Sequence, residues 1–251
     1  SRTPSRRSAT GSDPGAIGAH RLRKPPPVPP ALDDTMAAVR ALFVFDLDGT
    51  LLPGSTASLE LAAALGAVDE LHALEAAFAA GALDTRQFAA SVHDLFGRLQ
   101  AEQVAAAFAG SRLLDGVADV FADIRARGER SLVITMSPDF YATRLHELGC
   151  DAVHASRFPA PPYAGVVFDP SGILTPHDKP RLVGHELAAA GLGPERCVAF
   201  GDSMSDAPLF RMLRHTVAVN ADEHLRDLAA VHYTGDDLWA AYELGRRLLD
   251  G

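Results

Sequence analysis

The sequence is nearly without lysine. Of its 23 basic residues only Lys24 and Lys179 are lysines, the rest being arginines. Cysteine is scarce too. Cys150 and Cys197 alone exclude a disulfide framework and a four-cysteine metal site. They read as reduced, buried thiols, which suits a cytoplasmic protein. No run approaches the ~18 apolar residues of a bilayer span, so no membrane partner is expected. The N-terminal stretch also lacks the apolar core of a secretory signal. A surplus of positive charge is missing as well. The net charge of −9 argues against nucleic acid as a partner.

What is present is the composition of a folded protein. The 251 residues are 47% hydrophobic and 22% charged, enough to bury a large core. Charge is unevenly placed. Residues 1–35 hold six of the 23 bases, three of the 32 acids and seven of the 17 prolines. Residues 1–36 are therefore expected to be a disordered, Pro-rich basic tail. Met36 opens the periodic region and is expected as the physiological start.

After Met36 strand and helix patterns alternate, which predicts an α/β fold with a parallel sheet. Short apolar runs suited to strands buried on both faces occur at 41–45, 132–135 and 196–200. Residues 216–219 and 231–233 make two more. Helices are expected over 116–127, 138–148, 180–190, 206–213, 223–230 and 237–249, with Gly128, Gly149 and Gly191 as stops. Residues 54–112 break the alternation with four helical patterns, 58–65, 68–80, 85–99 and 102–109. This predicts a helical insertion after the first strand. Two β-prone runs around Asp169-Pro-Ser-Gly172 predict a hairpin over 163–174.

Polar groups suited to phosphate chemistry follow three of the predicted strands, where open α/β sheets bind their ligands. The first strand ends in Asp46-Leu-Asp-Gly-Thr50. Asp46 and Asp48 converge if the chain turns at Gly49, so that one carboxylate can attack while the other handles a proton. Thr135-Met136-Ser137 follows the second strand and offers hydroxyls and amides to a phosphoryl group, although Ser and Thr are also ordinary helix caps. Lys179-Pro180 opens a helix, the unfavourable end for a cation, and an ammonium there suits phosphate neutralisation. Gly201-Asp-Ser-Met-Ser-Asp206 follows the third long apolar run. The hard oxygens of Asp202 and Asp206 suit Mg²⁺.

In this order and spacing, the four motifs resemble the haloacid dehalogenase (HAD) superfamily of phosphohydrolases, over residues 40–235. The helical insertion and the segment Ile134-Thr-Met-Ser-Pro-Asp-Phe140 look most like the phosphoserine phosphatase branch. The resemblance implies a Rossmann-like doubly wound parallel sheet from residues 37–53 and 113–251, with residues 54–112 as an all-helical C1 cap. It implies Asp46 as nucleophile and Asp48 as acid and base. It places Mg²⁺ on the Asp46 carboxylate, the Asp48 backbone carbonyl and Asp202. Thr135, or failing it Ser137, would bind the phosphoryl group with Met136 beside them. Lys179 would screen the charge and Asp206 would orient Lys179 or a metal-bound water. The implied activity is hydrolysis of a small phosphorylated metabolite. The alternatives are phosphoryl transfer to an acceptor, as in a mutase, and a non-catalytic ligand-binding role.

The chain departs from that branch where substrate is chosen. Phosphoserine phosphatases usually carry a Glu seven residues after the second motif-one Asp; here the position is Ser55. Their cap Arg aligns with Leu95, beside His93 and Asp94. Ser55, His93 and Leu95 are thus the candidate specificity positions, and loss of both charges argues against phosphoserine itself. Phe78, Phe88, Phe96 and Phe108 read as cap core.

Overall fold

The structure, a computed structural model, describes residues 39–251. The expected tail, with Lys24 and Met36, lies outside the described residues. The first element among the described residues is strand β1 (Leu42–Phe45). Four helices follow: α1 (Ala57–Leu65), α2 (Val68–Ala79), α3 (Thr85–Phe96) and α4 (Ala101–Gly110). Next come α5 (Val117–Ala126), β2 (Arg130–Pro138), α6 (Asp139–Ala142) and β3 (Ala152–Ser156). The chain ends with α7 (Asp178–Ala190), β4 (Cys197–Gly201), α8 (Ala207–Met212), β5 (His215–Val219), α9 (Glu223–Arg226), β6 (Val231–Tyr233) and α10 (Leu238–Asp250).

The six strands form one all-parallel sheet in the order β3-β2-β1-β4-β5-β6. Side chains alternate across a strand, so a strand covered on both faces divides its residues between two cores. In β1, Phe43 and Phe45 enter one core with Val120, Phe121 and Tyr242, while Leu42 and Val44 enter the other with Val183, Leu187 and Leu209. The order reverses at β1, which pairs with β2 on one side and β4 on the other. Such a switch point opens a crevice at the carboxyl ends of the strands. Helices α1–α4 are inserted directly after β1 and pack mainly on one another, α1 against α4 and α2 against α3.

Several expectations need correction. No hairpin forms over 163–174. Asp169 accepts a hydrogen bond from the Ser171 amide and caps a 3-10 turn at Pro170–Gly172, while Val167 is 88% exposed with no strand to pair. Strand β3 was not expected, because Ala-Val-His-Ala-Ser is a half-buried edge strand without a continuous apolar run. The helix expected over 138–148 is four residues of α-helix, then a 3-10 turn at Thr143–Leu148. Thr143 Oγ1 donates back to the Asp139 carbonyl (2.7 Å) at that junction, a competing bond that disfavours a regular helix. Thr135 through Ser137 lie within β2, which is irregular between Ile134 and Pro138, and not beyond its end. Among the described residues, no helix is long and apolar enough to cross a membrane.

Candidate active site

Asp46 leaves β1 with its amide donating to the Phe200 carbonyl (3.0 Å), so β4 holds the turn that follows. That turn closes through Leu52 N–H to the Leu47 carbonyl (2.9 Å). Gly49 makes it possible. Its φ of +78° lies in the left-handed region, and a Cβ there would collide with the Asp202 carboxylate. Asp48 is thereby directed to the start of α1, where its Oδ1 accepts from the Ala57 amide (2.6 Å). Its Oδ2 accepts from Ser137 Oγ (2.6 Å) and Thr135 Oγ1 (3.1 Å), so the motif-two hydroxyls orient Asp48.

Lys179 is 2% exposed although it lies in the first turn of α7, where the helix dipole opposes a cation. Two carboxylates overcome this. Nζ donates to Asp46 Oδ1 (2.8 Å) and Asp206 Oδ1 (2.6 Å), with Ser205 Oγ at 3.3 Å. Burial by itself would lower the ammonium's pKa; Asp46 and Asp206 outweigh it, and the pKa lies above its ordinary value. Asp206 also accepts from the Asp202 amide (3.1 Å), which ties Lys179 to the loop after β4. Thr50 Oγ1 donates to Asp202 Oδ1 (3.3 Å).

Asp46, Asp202 and Asp206 bring carboxylate oxygens within 4.8 Å of one another, against the single ammonium of Lys179. The negative excess has a cost. Burial, then the charge of Asp206, pushes the Asp46 pKa well above the usual carboxylate range. The same two causes raise Asp202 to about 7. A divalent cation would relieve this repulsion, and hard carboxylate oxygens are the donors Mg²⁺ takes. The donor set therefore fits such an ion. Asp206 engages both oxygens, Oδ1 with Lys179 and Oδ2 with the Asp202 and Ser203 amides, whereas Asp46 meets Lys179 through Oδ1; Asp46 and Asp202 are therefore the carboxylates that could hold a metal.

The cluster opens into a cavity of about 940 Å³ between the strand ends and helices α1–α3. Asp46, Asp48, Met136, Ser137 and Asp202 line it, as does Ser55; Lys179 and Asp206 lie beneath. Ser137 reaches the cavity, whereas Thr135, the first choice on sequence, is fully buried against Asp48. Ser55 donates to Glu60 Oε1 (2.6 Å). His93 and Leu95 do not line the cavity. His93 is buried among Tyr163, Phe168 and Phe158, and Leu95 packs on the core. The four phenylalanines divide: Phe96 and Phe108 are core, while Phe78 and Phe88 line the cavity, their rings 5.1 Å apart. The sequence did carry a signal for that wall. Thr85, Phe88, Ala89 and Val92 follow i, i+3, i+4, i+7 spacing, one face of α3.

The family profile of haloacid dehalogenase-like hydrolases matches residues 43–211. The chain is 30% identical over 173 residues to the phosphoserine phosphatase of Halobacterium salinarum, covering 67% of this chain and 80% of that protein. It is 25% identical over 191 residues to the phosphoserine phosphatase of Archaeoglobus fulgidus, covering 76% of this chain. It spans 55%, about half, of the latter's length. Its fold resembles a solved phospho-aspartyl intermediate analogue of phosphoserine phosphatase, with a TM-score of 0.65 and 22% identity over 82% of this chain and 98% of that one.

Proposed function

Because the chain belongs to the haloacid dehalogenase-like hydrolases, in their phosphoserine-phosphatase-like branch, we propose that it is a Mg²⁺-dependent phosphatase acting through an aspartyl-phosphate on Asp46. Its substrate is a small-molecule phosphomonoester. The observation that carries this reading is the buried Lys179 ammonium joining Asp46 to Asp206, with Asp202 alongside, at the floor of an open cavity. Desolvating three carboxylates around one cation is unfavourable for stability alone, which favours a catalytic reason for it.

Asp46 is the nucleophile. Lys179 holds one of its oxygens, and the carboxylate attacks phosphorus in line, forming the O–P bond as the ester O–P bond breaks. Asp48 gives its proton to the departing alkoxide. It then takes a proton from the water that attacks phosphorus, which frees Asp46 and releases phosphate. The hold of Ala57, Thr135 and Ser137 on Asp48 fixes the direction of both transfers. Met136 and Ser137 line the space for the phosphoryl group. Mg²⁺, held by Asp46, Asp202 and the Asp48 carbonyl, would supply neutralisation of the phosphoryl charge. Helices α1–α4 act as the cap that covers the leaving group. The free, buried Cys150 and Cys197 suit a reducing compartment such as the cytoplasm.

The test is phosphate release from a panel of esters with Mg²⁺. Asp46→Asn should lower turnover by roughly 10⁴-fold or more with the fold intact, and Asp206→Asn should lower it less. Full turnover in Asp46→Asn would refute the nucleophile. Transfer to added alcohols in place of phosphate release would point to a phosphotransferase.

A further inference from the structure

The helical side of the cavity carries more information than the reaction needs. Phe78 from α2, and Phe88, Ala89 and Val92 from α3, form this wall, and Phe158 and Ile173 continue it from the sheet side. Phe78 stays 42% exposed, and Met204, 52% exposed, stands over the floor on the loop after β4. Large apolar side chains facing water in a concave site are what an apolar ligand covers. The wall's one acid is Glu75, whose pKa is raised by partial burial against the opposing charge of His72. The cavity's arginine, Arg211, belongs to α8 and lies outside this wall. Ser55 is turned to Glu60 and presents no charge. A leaving group bearing a carboxylate would meet an acid and six apolar side chains on this wall, because the basic side chains that line the cavity, Arg211 of α8 and His177 just before α7, belong to other segments.

Resting on the phosphatase reading, we propose that the substrate is the phosphate ester of a bulky apolar alcohol without a carboxylate, aromatic or branched alkyl, seated on Phe78, Phe88, Val92, Phe158 and Ile173. Glu75 is the residue that turns anionic alcohols away. Selectivity arises because the apolar part of the alcohol leaves water in the cavity, and each buried ring or branched chain strengthens transition-state binding.

The experiment compares three primary esters with Mg²⁺: 2-phenylethyl phosphate, ethyl phosphate and O-phosphoserine. The kcat/KM for 2-phenylethyl phosphate should exceed that for ethyl phosphate by roughly 10–100-fold, with O-phosphoserine below both. Phe88→Ala should shrink the ratio of the first two, read within the variant so that any loss of folded protein cancels. Glu75→Gln should raise O-phosphoserine relative to ethyl phosphate. Calorimetry with the unreactive isosteres 3-phenylpropylphosphonate, propylphosphonate and 2-amino-4-phosphonobutanoate gives the same ranking without turnover. Turnover with equal kcat/KM for the first two esters, or with O-phosphoserine preferred, overturns the apolar assignment and leaves the phosphatase reading standing. No turnover, with 3-phenylpropylphosphonate still bound at least tenfold tighter than propylphosphonate, supports the apolar cavity and overturns the phosphatase reading. Equal binding of all three isosteres without turnover overturns both.

Discussion

At the residue scale, two residues set the geometry and each makes a separable prediction. Gly49 lets the motif-one turn pass beneath Asp202 at φ +78°, where any side chain collides with the carboxylate. Gly49→Ala should cost about 1–3 kcal/mol in urea unfolding and remove most of the Mg²⁺-dependent activity. Gly66→Ala is the control, because Gly66 has φ +68° with open space around it and bears the left-handed strain alone. Lys179 is the second. Lys179→Met leaves Asp46 and Asp206 buried without their cation, which should cost about 3–5 kcal/mol at pH 8. The loss should be smaller at pH 5, where a carboxyl with a raised pKa takes up a proton instead. Urea unfolding at the two pH values checks both the size and the direction.

At the scale of elements, α3 carries a site wall on one face and core on another. Its start is secured by a capping box in which Asp84 accepts from the Arg86 and Gln87 amides while Gln87 returns a bond to the Asp84 amide. Asp84→Ala should destabilise the protein by about 1 kcal/mol in chemical unfolding. It should also raise KM more than it lowers kcat, since on the proposed reading this helix contacts the leaving group and no reacting atom. The strands are tied to the site differently. Asp46 and Asp202 each follow the last residue of a fully buried strand, so their positions are set by the sheet ladder.

For the whole molecule, buried negative charge couples folding to pH and metal. Asp46 and Asp202 both have folded-state pKa values above the ordinary range, Asp202 near 7. The folded state therefore binds more protons than the unfolded chain. The stability this contributes is present in full below about pH 4 and is lost as pH rises through 7. Metal-free protein should accordingly melt lower at pH 8 than these groups alone would allow at pH 5. Mg²⁺ held by Asp46 and Asp202, as proposed, would compete with those protons, so the rise in Tm on adding Mg²⁺ should be larger at pH 8. Thermal melts at both pH values with and without the ion measure this. An equal rise at both would disconnect the two carboxylates from the metal.

Much of this was legible along the chain. A short run such as Ala41–Phe45 with no polar residue, set between helical patterns, suits a strand covered on both faces, and abrupt polar ends after such runs mark a parallel sheet's ligand side. The four motifs lie within short segments, so their chemistry survives reading one residue at a time. The edge strand β3, the missing hairpin over 163–174 and the choice of Ser137 over Thr135 at the cavity were not legible, because each depends on neighbours distant in sequence. Asp46 and Lys179 are 133 residues apart yet 2.8 Å in space. Only folding put that ammonium against the Asp46 carboxylate and split the phenylalanines of α2–α4 between core and cavity. Periodicity tells which residues share a face; packing decides what that face meets.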